Sequence, residues 1–262
     1  MLDTLNIHNI GLQKTLKSEV VCEGIGLHSG KKIKIKIMPA EADKGIYFVR
    51  EDIEKNQIIN ASYQNVSDTK LGTTIQNKAG YKVQTIEHLM AAFMGLKIDN
   101  AKILLTGTEI PIMDGSSKVF IDLINLVGIK DQFVKKKVIK ILKKISYYQD
   151  QSSIVAHPSD NFSIDYQIDF KDPAIGVQQN KITFSGNNFN KEIGSARTFG
   201  MLNEVEYMHK NGLALGGSIN NAIVVDNGKI LNPDGLRFQD EFVRHKILDL
   251  CGDIYLSEHH IL

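Results

Sequence analysis

Isoleucine at positions 33, 35 and 37 alternates with lysine at 32, 34 and 36, a period of two that predicts a strand over Lys31–Met38 with one buried face. Similar runs predict strands at Thr15–Val21, Gly45–Arg50, Ala101–Thr106, Val138–Ile145, Ser152–Ala156, Phe162–Phe170, Lys181–Phe184, Ala222–Asp226 and Lys229–Leu231. Thr73–Gln76 and Tyr81–Gln84 flank the turn signal Asn77-Lys78-Ala79-Gly80 and read as a hairpin. Residues 51–72 are polar and weakly patterned, and Asp131–Lys137 reads as a charged connector.

Four stretches carry the helical period. Thr85 to Gly95 is apolar nearly all round, with Thr85 in the N-cap position and Gly95 at the C-terminal stop, so this helix is expected to be buried. Ser116–Val127 is amphipathic and ends at Gly128, and Asn203–Lys210 is stopped by Gly212. The last helix runs from Phe242 to Asp253. Its apolar residues Val243, Ile247, Leu250 and Ile254 form the core stripe, and His245, Asp249 and Asp253 form a second stripe that can line a cleft. Strands precede helices in each half of the chain, which predicts an α+β protein built from two units, residues 1–130 and 131–262.

Composition narrows the class. The chain has 262 residues with 42% hydrophobic content and a formal charge of +1, a soluble globular profile without a broad nucleic-acid footprint. Met1–Leu16 contains no long apolar leader core, and no stretch is apolar over the roughly 18 residues of a membrane span. The default compartment is cytoplasmic, and no protein partner is indicated. With Cys22 and Cys251 as the only cysteines, any metal has to be held by histidine and carboxylate.

Four features carry candidate chemistry or binding. His245 and Asp249, one helical turn apart, can share a zinc ion, which then needs a third ligand and an open position; they can equally share a hydrogen bond. Glu87 and His88 open the buried helix and must find partners or a metal, although an acid at a helix start and a hydrogen-bonded core histidine would also fit. His28, within Gly26-Leu27-His28-Ser29-Gly30, stands on a tight glycine-rich connection. The apolar, glycine-rich stretch Leu213 to Ser218 can wall an apolar ligand or simply pack as a loop.

Taken together and in order, Gly26-Leu27-His28-Ser29-Gly30, Thr85-Ile86-Glu87-His88, Glu109-Ile110-Pro111-Ile112-Met113-Asp114-Gly115, Ala196-Arg197-Thr198-Phe199-Gly200 and Arg244-His245-Lys246 through Asp249 to Asp253 closely resemble the UDP-3-O-acyl-N-acetylglucosamine deacetylases. The resemblance implies two βααβ-type domains forming a layered sandwich with the active site between them. It implies a zinc hydrolase that removes the N-acetyl group from a UDP-linked acylated glucosamine, the committed step of lipid A biosynthesis. It makes His88, His245 and Asp249 the zinc ligands, Glu87 the general base and Thr198 the oxyanion partner. Phe162, Phe199 and Lys246 become substrate contacts, and residues around Met201 to Leu215 a passage for the acyl chain. Asp253 takes the position that orients the histidine protonating the leaving amine. That histidine lies in a Lys-Ser-Gly-His segment which this sequence ends before, and neither His259 nor His260 stands in its motif. The expectation is therefore a C-terminal domain truncated at its end, with a truncated, non-catalytic zinc-binding relative as the alternative.

Overall fold

The computed structural model describes residues 11–55 and 57–261, so most of the opening stretch in which no leader was read, and Leu262, lie outside the described residues. Strands β1 (Leu12–Leu16), β2 (Val20–Ile25), β3 (Lys32–Pro39), β4 (Ile46–Arg50), β5 (Ile58–Asn60), β6 (Val66–Asp68), β7 (Thr74–Gln76) and β8 (Lys82–Val83) lead into helix α1 (Glu87–Leu96). Strand β9 (Ala101–Leu105), helix α2 (Lys118–Val127) and strand β10 (Ile129–Lys135) follow. The chain continues through β11 (Val138–Ile139), β12 (Ile145–Gln149), β13 (Ser152–Ala156), β14 (Ser163–Asp169), β15 (Val177–Thr183), β16 (Phe199–Met201) and α3 (Leu202–Lys210). It ends with β17 (Ile223–Asp226), β18 (Lys229–Ile230), α4 (Glu241–Ile254) and β19 (His260–Ile261).

The architecture is α+β, as the order of patterns predicts. The largest sheet has the order β2-β3-β9-β4-β5, antiparallel except where β4 runs parallel to β9. Its alternation is as expected: Ile33, Ile35 and Ile37 are buried while Lys32 and Lys34 face water. Beneath it, a continuous core joins Ile35, Ile37, Phe48 and Ile103 of the sheet to Leu89 and Phe93 of α1 and Phe120 and Ile124 of α2. The same core reaches Ile164 and Ile182 of the β14–β15 hairpin and Ile247, Leu248 and Cys251 of α4. The helices thus lie between two sets of strands.

Several local expectations are corrected. Thr15–Val21 is two strands, because the chain bends at Lys17–Ser18 on leaving its pairing with β10, the last bond of which is the Lys17 amide to the Gly128 carbonyl at 2.8 Å. The charged connector is mostly strand: β10 pairs antiparallel with β1, its exposed lysines tolerated on one face of a two-stranded ribbon. Of the long strand expected over Val138–Ile145, only β11 and the first residue of β12 form; β11 pairs parallel with β19. Thr85 is not a cap. It holds a left-handed φ of 56° and its hydroxyl donates to the Glu109 carboxylate at 3.3 Å, since a buried carboxylate draws every nearby donor. Gly95 does not stop α1 either. It lies inside the helix beneath Phe189, and Lys97, at φ 60°, makes the C-terminal cap.

Helices α1 and α4 cross at Gly252, where an added Cβ would lie 2.1 Å from the Glu87 carbonyl oxygen. Alanine is the better helix former by about 1 kcal/mol, so an unobstructed Gly→Ala change would stabilise α4. At this crossing, Gly252→Ala should instead destabilise the protein by about 1–3 kcal/mol, the usual cost of overpacking, seen as a lower denaturation midpoint. A midpoint unchanged or raised would show that the helices do not approach this closely.

Candidate metal and catalytic site

His245 and Asp249 stand one turn apart on α4, as their spacing predicts. His245 Nδ1 lies 3.0 Å from the carbonyl oxygen of Ala196. A carbonyl only accepts, so Nδ1 carries the proton and the lone pair of Nε2 is left pointing at Asp249 Oδ1, 3.2 Å away. Burial holds the His245 pKa down at about 4, keeping the ring neutral. From the first turn of α1, His88 brings its Nε2 to 3.5 Å from the same oxygen. One ligand atom from each of the three residues falls within 4.8 Å of the others.

The bonding state of this cluster separates a metal site from a hydrogen-bonded one. Asp249 Oδ1 is buried and accepts no hydrogen bond within the structure, although two imidazole nitrogens face it. Its partner Oδ2 accepts from Lys246 Nζ at 3.1 Å. Burial pushes the Asp249 carboxyl up, but the facing imidazoles and the Lys246 ammonium outweigh it and hold the group well below the usual carboxylate range. Two imidazole nitrogens and an ionised carboxylate, converging on Asp249 Oδ1, which accepts no hydrogen bond, fit a divalent metal with nitrogen and oxygen ligands.

Glu87 stands beside His88, 8% exposed, and burial lifts its pKa to about 7. Its Oε2 accepts from the Thr73 amide at 2.9 Å. The Thr73 hydroxyl donates to Asp253 Oδ1 at 2.5 Å; Asp253 keeps solvent exposure, and partial loss of hydration raises it to about 6. Thr73 was missed in the sequence, where it stands at the edge of the weakly patterned stretch; Gly72 before it was the available signal. Gly72 has a φ of 135°, and a Cβ there would lie 2.8 Å from Glu87 Oε1.

The segment carrying Thr198 lies along α4. Arg197, just before it, is locked to Glu241 by backbone and guanidinium bonds of 2.9, 2.9 and 3.0 Å, which also sets the Ala196 carbonyl against His245. Phe199 packs edge-on against Phe242, with ring centroids 5.0 Å apart, and lies 6.3 Å from His245. Lys246 Nζ stands 5.5 Å over the Phe199 ring. These residues come together. Phe162 touches different neighbours: its ring stacks on Phe184 at 5.3 Å and lines a cavity of about 500 Å³ with Tyr255 and His260. A smaller cavity of about 190 Å³ lies among His28, Leu71, Gly72, Thr85 and Leu213. His28 is not simply solvated, since its Nε2 lies 3.1 Å from the Leu71 carbonyl.

The family model described as UDP-3-O-acyl N-acetylglycosamine deacetylase matches residues 13–262. A UDP-3-O-acyl-N-acetylglucosamine deacetylase from Syntrophus aciditrophicus (strain SB) is 45% identical over 244 residues, which is 93% of this chain and 77% of that relative. With a match running almost from end to end, and two of the motifs meeting in one His, His, Asp cluster, the chain belongs to the UDP-3-O-acyl N-acetylglycosamine deacetylase family.

Proposed function

We propose that this chain removes the N-acetyl group of a UDP-3-O-acyl-N-acetylglucosamine and releases acetate, the committed step of lipid A biosynthesis, with zinc held by His88, His245 and Asp249. The observation that carries this reading is the buried carboxylate of Glu87 set beside three ligand atoms, one of which, Asp249 Oδ1, is left without a hydrogen bond. A purely structural metal site would have no use for an ionisable acid placed against it, which also argues against a relative that binds without turnover.

Bound there, zinc would supply a Lewis acid and lower the pKa of water at the site. Glu87 accepts a proton from the attacking water, a role its elevated pKa suits near neutrality. Thr198 is the side chain proposed to steady the oxyanion as the amide carbon becomes tetrahedral. The C–N bond then breaks, acetate leaves, and the amine takes up a proton from a donor that Asp253 would orient. Lys246 and Phe199 are assigned to the substrate's polar part, with Phe162 as a further contact. The exposed apolar side chains Leu213, Leu215 and Ile219 are suited to an acyl chain.

Residues 1–130 supply Thr73, Glu87 and His88, and residues 131–262 the remainder, which supports a site between two units. Among the described residues no helix is long and apolar enough to cross a membrane. The substrate is a small molecule, and we place the reaction in the cytoplasm.

Two predictions follow from the ligand set and the base. His88→Ala, His245→Ala and Asp249→Ala should each purify with little zinc, whereas Cys251→Ser keeps it, because Cys251 is buried in the core. Full zinc content in the three ligand variants, measured by elemental analysis of folded protein, would remove the site assignment. Glu87→Gln should retain zinc and lose on the order of 10²- to 10⁴-fold in turnover. Unchanged turnover at saturating substrate would make Glu87 structural.

A further inference from the structure

Thr73 is buried, and each of its polar groups is committed to a different part of the site. Its amide donates to Glu87 Oε2 at 2.9 Å, its hydroxyl donates to Asp253 Oδ1 at 2.5 Å, and its carbonyl accepts from the Ile86 amide at 3.4 Å, at the start of α1. Glu87 belongs to α1 and Asp253 to α4, one turn beyond Asp249. One residue of a loop therefore spans the two helices that carry the reacting groups. The loop is held close. Gly72 passes its backbone over the other Glu87 oxygen, where a Cβ would lie 2.8 Å away, and the Leu71 carbonyl is tied to His28 at 3.1 Å.

We infer that Thr73 is a positioning residue of the deacetylation, its hydroxyl and amide fixing Asp253 and Glu87 relative to one another across the cleft. This rests on the deacetylase reading. The physical reason is that each carboxylate, Glu87 buried and Asp253 open to solvent, has two oxygens and a freely turning terminal bond, and needs a donor to choose one orientation. A displacement of about 1 Å at a reacting group can cost about 10²-fold in rate. Thr73→Val keeps the shape and the amide bond to Glu87 but removes the hydroxyl donor that holds the solvent-facing Asp253 carboxylate. Thr73→Ser restores the hydroxyl without the methyl group.

The test compares wild type, Thr73→Val and Thr73→Ser in the natural protein, measuring kcat and KM for UDP-3-O-acyl-N-acetylglucosamine together with zinc content. Thr73→Val should lose roughly 10- to 100-fold in kcat, with KM within about threefold and zinc retained, and Thr73→Ser should recover most of that loss. Wild-type kcat in Thr73→Val, a fall in kcat that Thr73→Ser does not reverse, or loss of zinc from Thr73→Val would each overturn the assignment. Turnover in wild type alongside any of these leaves the deacetylase reading standing. Absence of turnover in wild type itself would overturn both.

Discussion

The close crossing of α1 and α4 at Gly252 is the constraint on which the site depends. With hydrogen in place of a side chain at that position, the α4 backbone meets the Glu87 carbonyl, and the first turn of α1 comes against the His245–Asp249 turn of α4. Helix α1 cannot roll to relieve the contact, because Leu89, Met90, Ala91, Ala92 and Phe93 are buried on all its sides. The backbone positions of His88 and Glu87 are fixed by apolar packing that has no part in the chemistry. Burial then acts on the ionisable groups that this packing brings together. It raises Glu87 and lowers His245.

Buried carboxylates in this protein fall into two physical kinds. Glu241 is fully buried and saturated, accepting from the Arg197 amide and guanidinium and from the Arg237 amide. Glu109, 1% exposed, likewise collects the amides of His28 and Ser29 and the hydroxyl of Thr85. These acids act as fasteners for loops, one setting the Ala196 carbonyl against His245 and the other holding the glycine-rich connection near the start of α1. Asp249 differs in kind, with one oxygen taken by Lys246 and the other facing two imidazoles without a hydrogen bond. A buried oxygen left in that state is costly unless a cation completes it.

The sequence made the buried helix, the polar stripe on α4 and the alternating strand at Lys32–Pro39 legible because each follows from a period that local packing enforces. Thr85 and Gly95 were misread for one reason. Capping preferences assume that a residue's local options decide its conformation, and here the distant Glu109 and Phe189 decide it. The lysine-rich β10 was read as a connector because its pairing partner β1 lies more than a hundred residues earlier, which no local pattern encodes. Thr73 and the Ala196 carbonyl were missed for a related reason: each acts through hydrogen bonds to residues distant in sequence, largely from backbone atoms that every residue carries.

The most direct measurement is anomalous diffraction at the zinc absorption edge from crystals of the purified protein. A single strong peak enclosed by His88 Nε2, His245 Nε2 and a carboxylate oxygen of Asp249 is the expected result, with nitrogen and oxygen distances of about 2.0–2.2 Å. A peak at another position, or one carrying a sulfur ligand at about 2.3 Å, would contradict the assignment of the crossing of α1 and α4 as the metal centre.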